Sequence, residues 1–291
     1  MATYYGRALR WVVFLKPLKA NPSLAKVLTA TVIGFAAVTL FGRPGELVRP
    51  YLIALKEGVP VASQISAWVL ERIFDLLMAL LVFGFALSYL AATGLHGGSR
   101  LAWVFATGGR SIGVCAVAIL VSLAFLRHVA EGFERFVLAR LGFLGDSRLR
   151  ALSGFTGALV RGVESVRSDA ALVSILLYSI LEWALIAACY WCLVQSFSGV
   201  FRITFVEVLV LMGFVSFGTV VQIPGIGGGM QVVTVLVLSE LFHIRLELAA
   251  SFAMFVWIMT FVVVVPVGLV LALKQGLDWR SLRRMGREAA T

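Results

Sequence analysis

The chain has 291 residues, of which 60% are hydrophobic and only 14% charged, and its mean hydropathy is +0.98. A soluble globule of this length does not carry that balance, so the chain is an integral membrane protein. A net charge of +10 would suggest nucleic acid in a soluble protein, but here the basic residues flank apolar runs, as the positive-inside rule and attraction to anionic headgroups require; nucleic acid is not expected as a partner.

Apolar runs of about 18 to 25 residues recur from end to end without strand-like alternation, so the fold class is all-α, a polytopic helical membrane protein. Residues 5–19 read as the basic, aromatic end of a membrane helix whose apolar body lies outside this chain, with no cleavable signal pattern. An apolar run over 24–41 ends at Gly42 and Pro44, and Lys56-Glu57-Gly58 forms a polar loop. The segment from about 62 to 93 opens on charged residues and continues apolar; as a helix it is about 48 Å long, more than a bilayer core, so its first turns are interfacial or line a cavity. After the Gly-rich link around His96 to Arg100 comes a span over 103–126, then a polar segment, 127–170, with seven arginines against five acids, read as containing an amphipathic surface helix. Spans at 171–195, 203–222, 228–243 and 250–273 precede a tail bearing Lys274, Arg280, Arg283, Arg284 and Arg287.

Charge then decides topology. The basic blocks 7–26, 127–167 and 274–287 are all expected on the cytoplasmic side, and simple counting of spans puts the first two on opposite sides. The conflict disappears if residues 24–60 enter, break at Gly42, Pro44 and Gly45, and return, and if residues 203–243 do the same from the opposite face, breaking at Pro224, Gly225, Gly227 and Gly228. Two Gly/Pro-interrupted segments in matching positions point to inverted repeats with a midplane site. One membrane domain over 1–291 results, with halves at roughly 5–93 and 171–273 linked by the span at 103–126 and the segment 127–170. Residues 56–58 face the cytoplasm in this scheme, and residues 94–100 and 244–247 face outward.

The chemistry is concentrated in Gly42-Arg43-Pro44-Gly45-Glu46-Leu47-Val48-Arg49 and Glu71-Arg72-Ile73-Phe74-Asp75. Ionisable groups in a membrane segment cost several kcal/mol (about 2.5 to 3.5 on insertion scales) unless they are paired or used. Arg43, Arg49 and Arg72 suit a phosphate, because a guanidinium fork matches its oxygens and keeps its charge when desolvated. Glu46, Glu71 and Asp75 either orient those arginines, serve as proton sites, or complete a purely structural three-against-three network; Glu71 and Asp75 share a helix face. Glu182 is a further intramembrane acid, either a proton site or an arginine's partner. Gly109-Arg110-Ser111-Ile112-Gly113 matches a nucleophile elbow by accident, and its GxxxG spacing suits helix packing. Cys115, Cys189 and Cys192 lie in apolar runs and are assigned to packing, and His96, His128 and His243 make no metal-ligand spacing. No catalytic constellation, metal site or cofactor is expected.

GRPGELVRPYL followed by ERIFDLL, with a late Pro-Gly-rich break, resembles the flippase-like transmembrane domain of lysylphosphatidylglycerol synthases and their stand-alone relatives, over Arg10 to about Leu273. The resemblance implies a domain that moves anionic phospholipids or lipid-linked precursors between leaflets of a prokaryotic cytoplasmic membrane, with membrane lipids as partners. In that family aminoacyl transfer belongs to a separate soluble domain. Gly42, Arg43, Gly45, Glu46, Arg49, Glu71, Arg72, Asp75, Pro224 and Gly225 match the family's motif positions. Ile226 and Gln231 depart from it, standing where the family has a glycine and an acid. An intramembrane transferase acting on a lipid-linked substrate and a non-transporting scaffold are the alternatives, and oligomeric state is not specified.

Overall fold

The computed structural model describes residues 1–93, 107–121, 168–219, 222–223 and 227–276. Among these the architecture is helical. Helix α1 (Ala2–Leu15) is followed by α2 (Leu24–Phe41), a 3₁₀ turn (Arg43–Leu47), α3 (Val48–Glu57) and the 33-residue α4 (Val61–Thr93). Then come α5 (Thr107–Val121), α6 (Asp169–Gln195), α7 (Phe205–Gly218), α8 (Gly229–Leu236) with a π turn (Val237–Leu241), and α9 (Leu246–Lys274). The one sheet-like feature described is a two-residue antiparallel ladder, Gln222 opposite Gly228 and Ile223 opposite Gly227. Pro224 and Gly225, the expected surface helix in 127–170, the link at 94–106, the ends of the 103–126 span and the tail beyond 276 lie outside the described residues.

Among the described residues four helices, α2, α4, α6 and α9, are long and apolar enough to cross a membrane. The runs read as spans at 203–222 and 228–243 are instead a 14-residue helix and an 8-residue helix extended by the π turn. At 1.5 Å per residue α7 reaches only about 21 Å, short of a hydrocarbon core.

The hydrophobic residues separate into two main clusters. One joins Trp11, Phe14 and Leu15 of α1 with Val27 and Ile33 of α2, Leu52 of α3, Phe74 of α4, Ile175 of α6 and Ala272 of α9. The other joins Ala187 and Val194 of α6 with Val208 and Leu211 of α7, Leu238 of the π turn, and Ala249 and Phe252 of α9. Helix α9 starts in the second cluster and ends in the first, so the clusters lie at opposite ends of the molecule. Burial of this apolar area contributes dispersion and packing, because lipid tails are as apolar as leucine and no hydrophobic gain separates helix from lipid.

Close approach in such a bundle depends on small residues. Gly42, at φ 70°, takes a left-handed conformation that ends α2 and starts the 3₁₀ turn. Gly45 is buried with its α-carbon against the Ala37 and Val38 backbone, leaving no room for a methyl group, so α2 and the turn touch main chain to main chain. The hairpin closes at its base, where Lys26 Nζ donates to the Lys56 carbonyl at 3.1 Å and Lys19 Nζ stands 2.7 Å from Glu57 Oε2. The expected role of the Gly109/Gly113 pair holds: a methyl on Gly84 of α4 would lie 2.9 Å from the Gly109 carbonyl oxygen and 3.3 Å from the Gly113 nitrogen. The cysteines do not serve packing, since Cys115, Cys189 and Cys192 are free and exposed on their helices.

Candidate functional site

Between the two hydrophobic clusters lies a layer of charge. On α6 it falls between Ile175 of one cluster and Ala187 of the other, and on α4 Glu71, Arg72 and Asp75 flank Phe74 of the first cluster. Glu71 and Asp75, one helical turn apart, turn the same face to α1, as their spacing requires. There a single nitrogen, Nη2 of Arg10, lies 2.7 Å from Glu71 and 2.8 Å from Asp75, while Arg10 Nη1 donates to Ser179 at 2.9 Å. Arg7 Nη1 donates to Asp75 at 3.2 Å, and Arg7 Nη2 pairs with Glu182. Arg49 reaches Glu71 from α3 with Nη1 at 2.9 and 3.1 Å from its two oxygens, and its guanidinium lies 4.2 Å from the Trp11 ring centroid. Trp11 in turn donates to buried Gln64 at 2.8 Å.

One expectation is overturned here. Arg7 and Arg10 are not part of a basic block at the membrane surface; Arg10 is 0% exposed and both lie inside the ion-paired layer. The physical reason is helical spacing. Residues 7 and 10 share one face of α1, and that face meets three acids contributed by two other helices. Glu182 is paired with Arg7 and Arg10, in keeping with its reading as an arginine's partner.

A cavity of about 380 Å³ opens beside this layer. Arg7, Arg43, Glu46, Arg49 and Arg72 line it on the side of the first hairpin; Thr219, Ile223, Gly228 and Met230 line it on the side of the second; Trp68, Trp257 and Phe261 supply aromatic walls. The two helix breaks, far apart in sequence, thus border one space. Of the sequence candidates, Arg43, Glu46, Arg49, Arg72 and Gly228 line it, whereas Glu71, Asp75 and Glu182 are not among its lining residues and hold the arginines from behind. Gly42, Pro44 and Gly45 build the first break, and Gly227 pairs with Ile223 in the second.

The cationic groups differ in exposure. The Arg43 side chain is 52% exposed and sits 2.8 Å from Glu46; Arg72 is 38% exposed and sits 2.9 Å from Asp75. Arg49 is nearly enclosed, yet its Nε has no hydrogen-bond partner, and neither has Nε of Arg72. Buried N–H donors left unpaired are expensive, so two guanidinium groups at the cavity retain unspent donors. A space of this size with arginine donors and aromatic walls suits a phosphate-bearing polar group.

The residues missed in the sequence are Arg7, Arg10, Ser179, Gln64 and the aromatic walls. One signal existed: Glu71, Asp75 and Glu182 outnumber the arginines on their own helices, so further cations had to be supplied from elsewhere.

Comparison with known proteins agrees with the geometry. The chain is 37% identical over 105 residues to a protein named Glycosyltransferase AglD from Haloferax volcanii; the match covers 35% of this chain and 16% of that protein, so the chain spans far less than two thirds of that relative. No solved structure matches it. The family model described as the lysylphosphatidylglycerol synthase TM region matches residues 1–268, a stretch that includes both helix breaks and every member of the ion-paired layer, and the chain belongs to that family.

Proposed function

We propose that this protein moves an anionic lipid, a phospholipid or a lipid-linked precursor, between the leaflets of a prokaryotic cytoplasmic membrane, and that the guanidinium groups around the cavity receive its headgroup. The observation that carries the reading is the cavity wall: among the described residues, four arginines against one carboxylate, at the meeting point of two broken helices. In this reading Arg43, Arg49 and Arg72 bind the phosphate, Glu46 orients Arg43, and Glu71, Asp75 and Glu182 hold the remaining arginines in place. Purified protein in vesicles containing a fluorescent phosphatidylglycerol is expected to equilibrate that lipid between leaflets, read as the fraction a membrane-impermeant quencher reaches. A rate equal to that of protein-free vesicles would remove the reading.

The packing supports two re-entrant hairpins in an inverted repeat. Helices α1, α2–α3 and α4 correspond in order to α6, α7–α8 and α9, and the contacts correspond as well. Helix α9 packs along α2 and α4 packs along α7; α1 packs against α6; α3 lies against α4 as α8 lies against α9. Arg43 and Glu46 at the tip of the first hairpin line the same cavity as Trp257, Thr260 and Phe261, which lie near the middle of α9, half-depth for a spanning helix. Lys19, Lys26 and Lys56 lie at the hairpin base, the end expected in the cytoplasm. Single cysteines at positions 56 and 247 are therefore expected to react with an impermeant thiol reagent from opposite sides, in a background with the three native cysteines replaced. Labelling from the same side would eliminate the inverted repeat.

A second reading, transfer chemistry on a lipid-linked substrate, is favoured by the likeness to a protein named a glycosyltransferase. The two readings part on the product. A transferase consumes a donor and changes the lipid's mass, whereas a translocator returns the lipid unchanged.

A further inference from the structure

Arg7 is shared between the cavity and the acids behind it. It lines the cavity wall, yet its Nη1 donates to Asp75 at 3.2 Å and its Nη2 pairs with Glu182. The three acids of the layer depend on Arg7 unequally. Glu71 also has Arg10 at 2.7 Å and Arg49 at 2.9 Å, and Asp75 also has Arg10 at 2.8 Å and Arg72 at 2.9 Å. Among the described residues Glu182 has, besides Arg7, only Nη2 of Arg10 at 3.4 Å, and that nitrogen is already engaged by Glu71 and Asp75. Neither Glu182 oxygen accepts a well-formed hydrogen bond, although the side chain is fully buried. Of the helices packed against α6, α1 brings Arg7 and Arg10 to Glu182, and α4 brings Glu71 and Asp75, which compete with it for Arg10. The single titratable group on α7, Glu207, is tied to Thr204 at the start of its own helix.

Resting on the reading of this cavity as a site for an anionic headgroup, we infer that the protein couples lipid movement to a proton, and that Glu182 is the group that carries it. An anion in the cavity competes with Glu182 for the Arg7 guanidinium. Once Arg7 turns to the anion, Glu182 is a buried carboxylate left with one distant, shared nitrogen, and in a membrane interior such a charge is relieved by taking up a proton. Arg10 does not follow Arg7, because it is absent from the cavity wall and holds Glu71 and Asp75. The step needs no other reactant. A proton from solvent forms an O–H bond on Glu182 as the headgroup arrives; that bond breaks and the proton returns to solvent as the headgroup leaves and Arg7 swings back. One singly charged anion and one proton bind together, so the occupied site carries the same net charge as the empty one.

The test titrates dihexanoyl phosphatidylglycerol onto the full chain in detergent by calorimetry, over a range of pH around neutrality and in paired buffers of different ionisation enthalpy. The phosphodiester stays anionic throughout, so a proton taken up belongs to the protein. The wild-type protein is expected to gain about one proton per lipid bound, and its affinity to fall by up to about tenfold per pH unit as pH rises, because acid favours a site that gains a proton on binding. Glu182→Gln removes both the proton and the competitor for Arg7, so it is expected to bind about tenfold more tightly at alkaline pH, with no proton uptake and a flat pH dependence. If that variant does not fold, the wild-type protein decides the matter in vesicles with an imposed pH gradient. Fluorescent phosphatidylglycerol is expected to gather in the leaflet facing the alkaline side, beyond what protein-free vesicles show, and to even out when the gradient is collapsed. If the wild-type protein binds no phosphatidylglycerol, the headgroup reading falls and the coupling with it. Binding without proton uptake, or a lipid distribution indifferent to the gradient, overturns the coupling and leaves the headgroup reading standing. A folded Glu182→Gln protein that still gains a proton overturns the assignment to Glu182.

Discussion

Arg10→Met is expected to abolish the folded protein, seen as loss of a cooperative unfolding transition in detergent or as failure to purify as a monodisperse species. Arg10 is fully buried and touches Glu71, Asp75, Glu182 and Ser179 at once. Removing one partner from a buried ionic network costs about 3–5 kcal/mol, because the opposite charges stay behind with fewer donors in a low dielectric. Total stabilities are only about 5–15 kcal/mol, so this one side chain holds a large share. Arg10→Met leaves Glu71 to Arg49, Asp75 to Arg7 and Arg72, and Glu182 to Arg7, so the cost arises from buried carboxylate oxygens that lose their closest donor and not from lost volume, and Arg10→Met combined with Asp75→Asn is expected to recover part of the stability. Arg10 is also absent from the cavity wall, so no loss of lipid contact is needed to account for its effect. An Arg10→Met protein that unfolds at the wild-type temperature would show that the layer is not what holds α1, α4 and α6 together.

Arg72→Gln is expected to do the reverse, keeping the fold and losing lipid movement. Arg72 is substantially exposed and lines the cavity, and its removal leaves Asp75 held by Arg7 at 3.2 Å and Arg10 at 2.8 Å, so no carboxylate is stranded. The melting temperature should shift by no more than a few degrees. A charge-assisted hydrogen bond to phosphate contributes about 1.5–3 kcal/mol, so leaflet exchange should fall tenfold or more. Arg72→Lys should restore part of it, since an ammonium keeps the charge without the two-pronged donor geometry. Normal exchange by a well-folded Arg72→Gln protein would exclude Arg72 as a headgroup ligand. Arg49 lies between these cases: it lines the cavity, but it also secures Glu71 and stacks on Trp11, so its replacement is expected to touch both stability and exchange.

These contrasts show where sequence and tertiary structure divide. The spans over 24–41, 62–93, 171–195 and 250–273 match α2, α4, α6 and α9 to within a few residues, because hydropathy over about 20 residues is a local property that the bilayer enforces. The break at Gly42 to Gly45 was legible for the same reason, since Gly and Pro act on their own backbone. Glu71 and Asp75 on one face followed from helical spacing alone.

The partners of those acids did not. Arg7 and Arg10 read as a surface block because in sequence they adjoin Lys16 and Lys19, and nothing in residues 1–19 records that α1 packs against α6 and α2. The sequence by itself determined that the chain is a helical membrane protein, where its helices break, and that its intramembrane charges required partners, because each follows from periodicity or from the cost of charge in lipid. Only the tertiary structure decided which arginines are spent on carboxylates and which face the cavity. That choice depends on side chains from α1, α3, α4 and α6 meeting within about 3 Å, a distance set by helix packing and by no local feature of the chain.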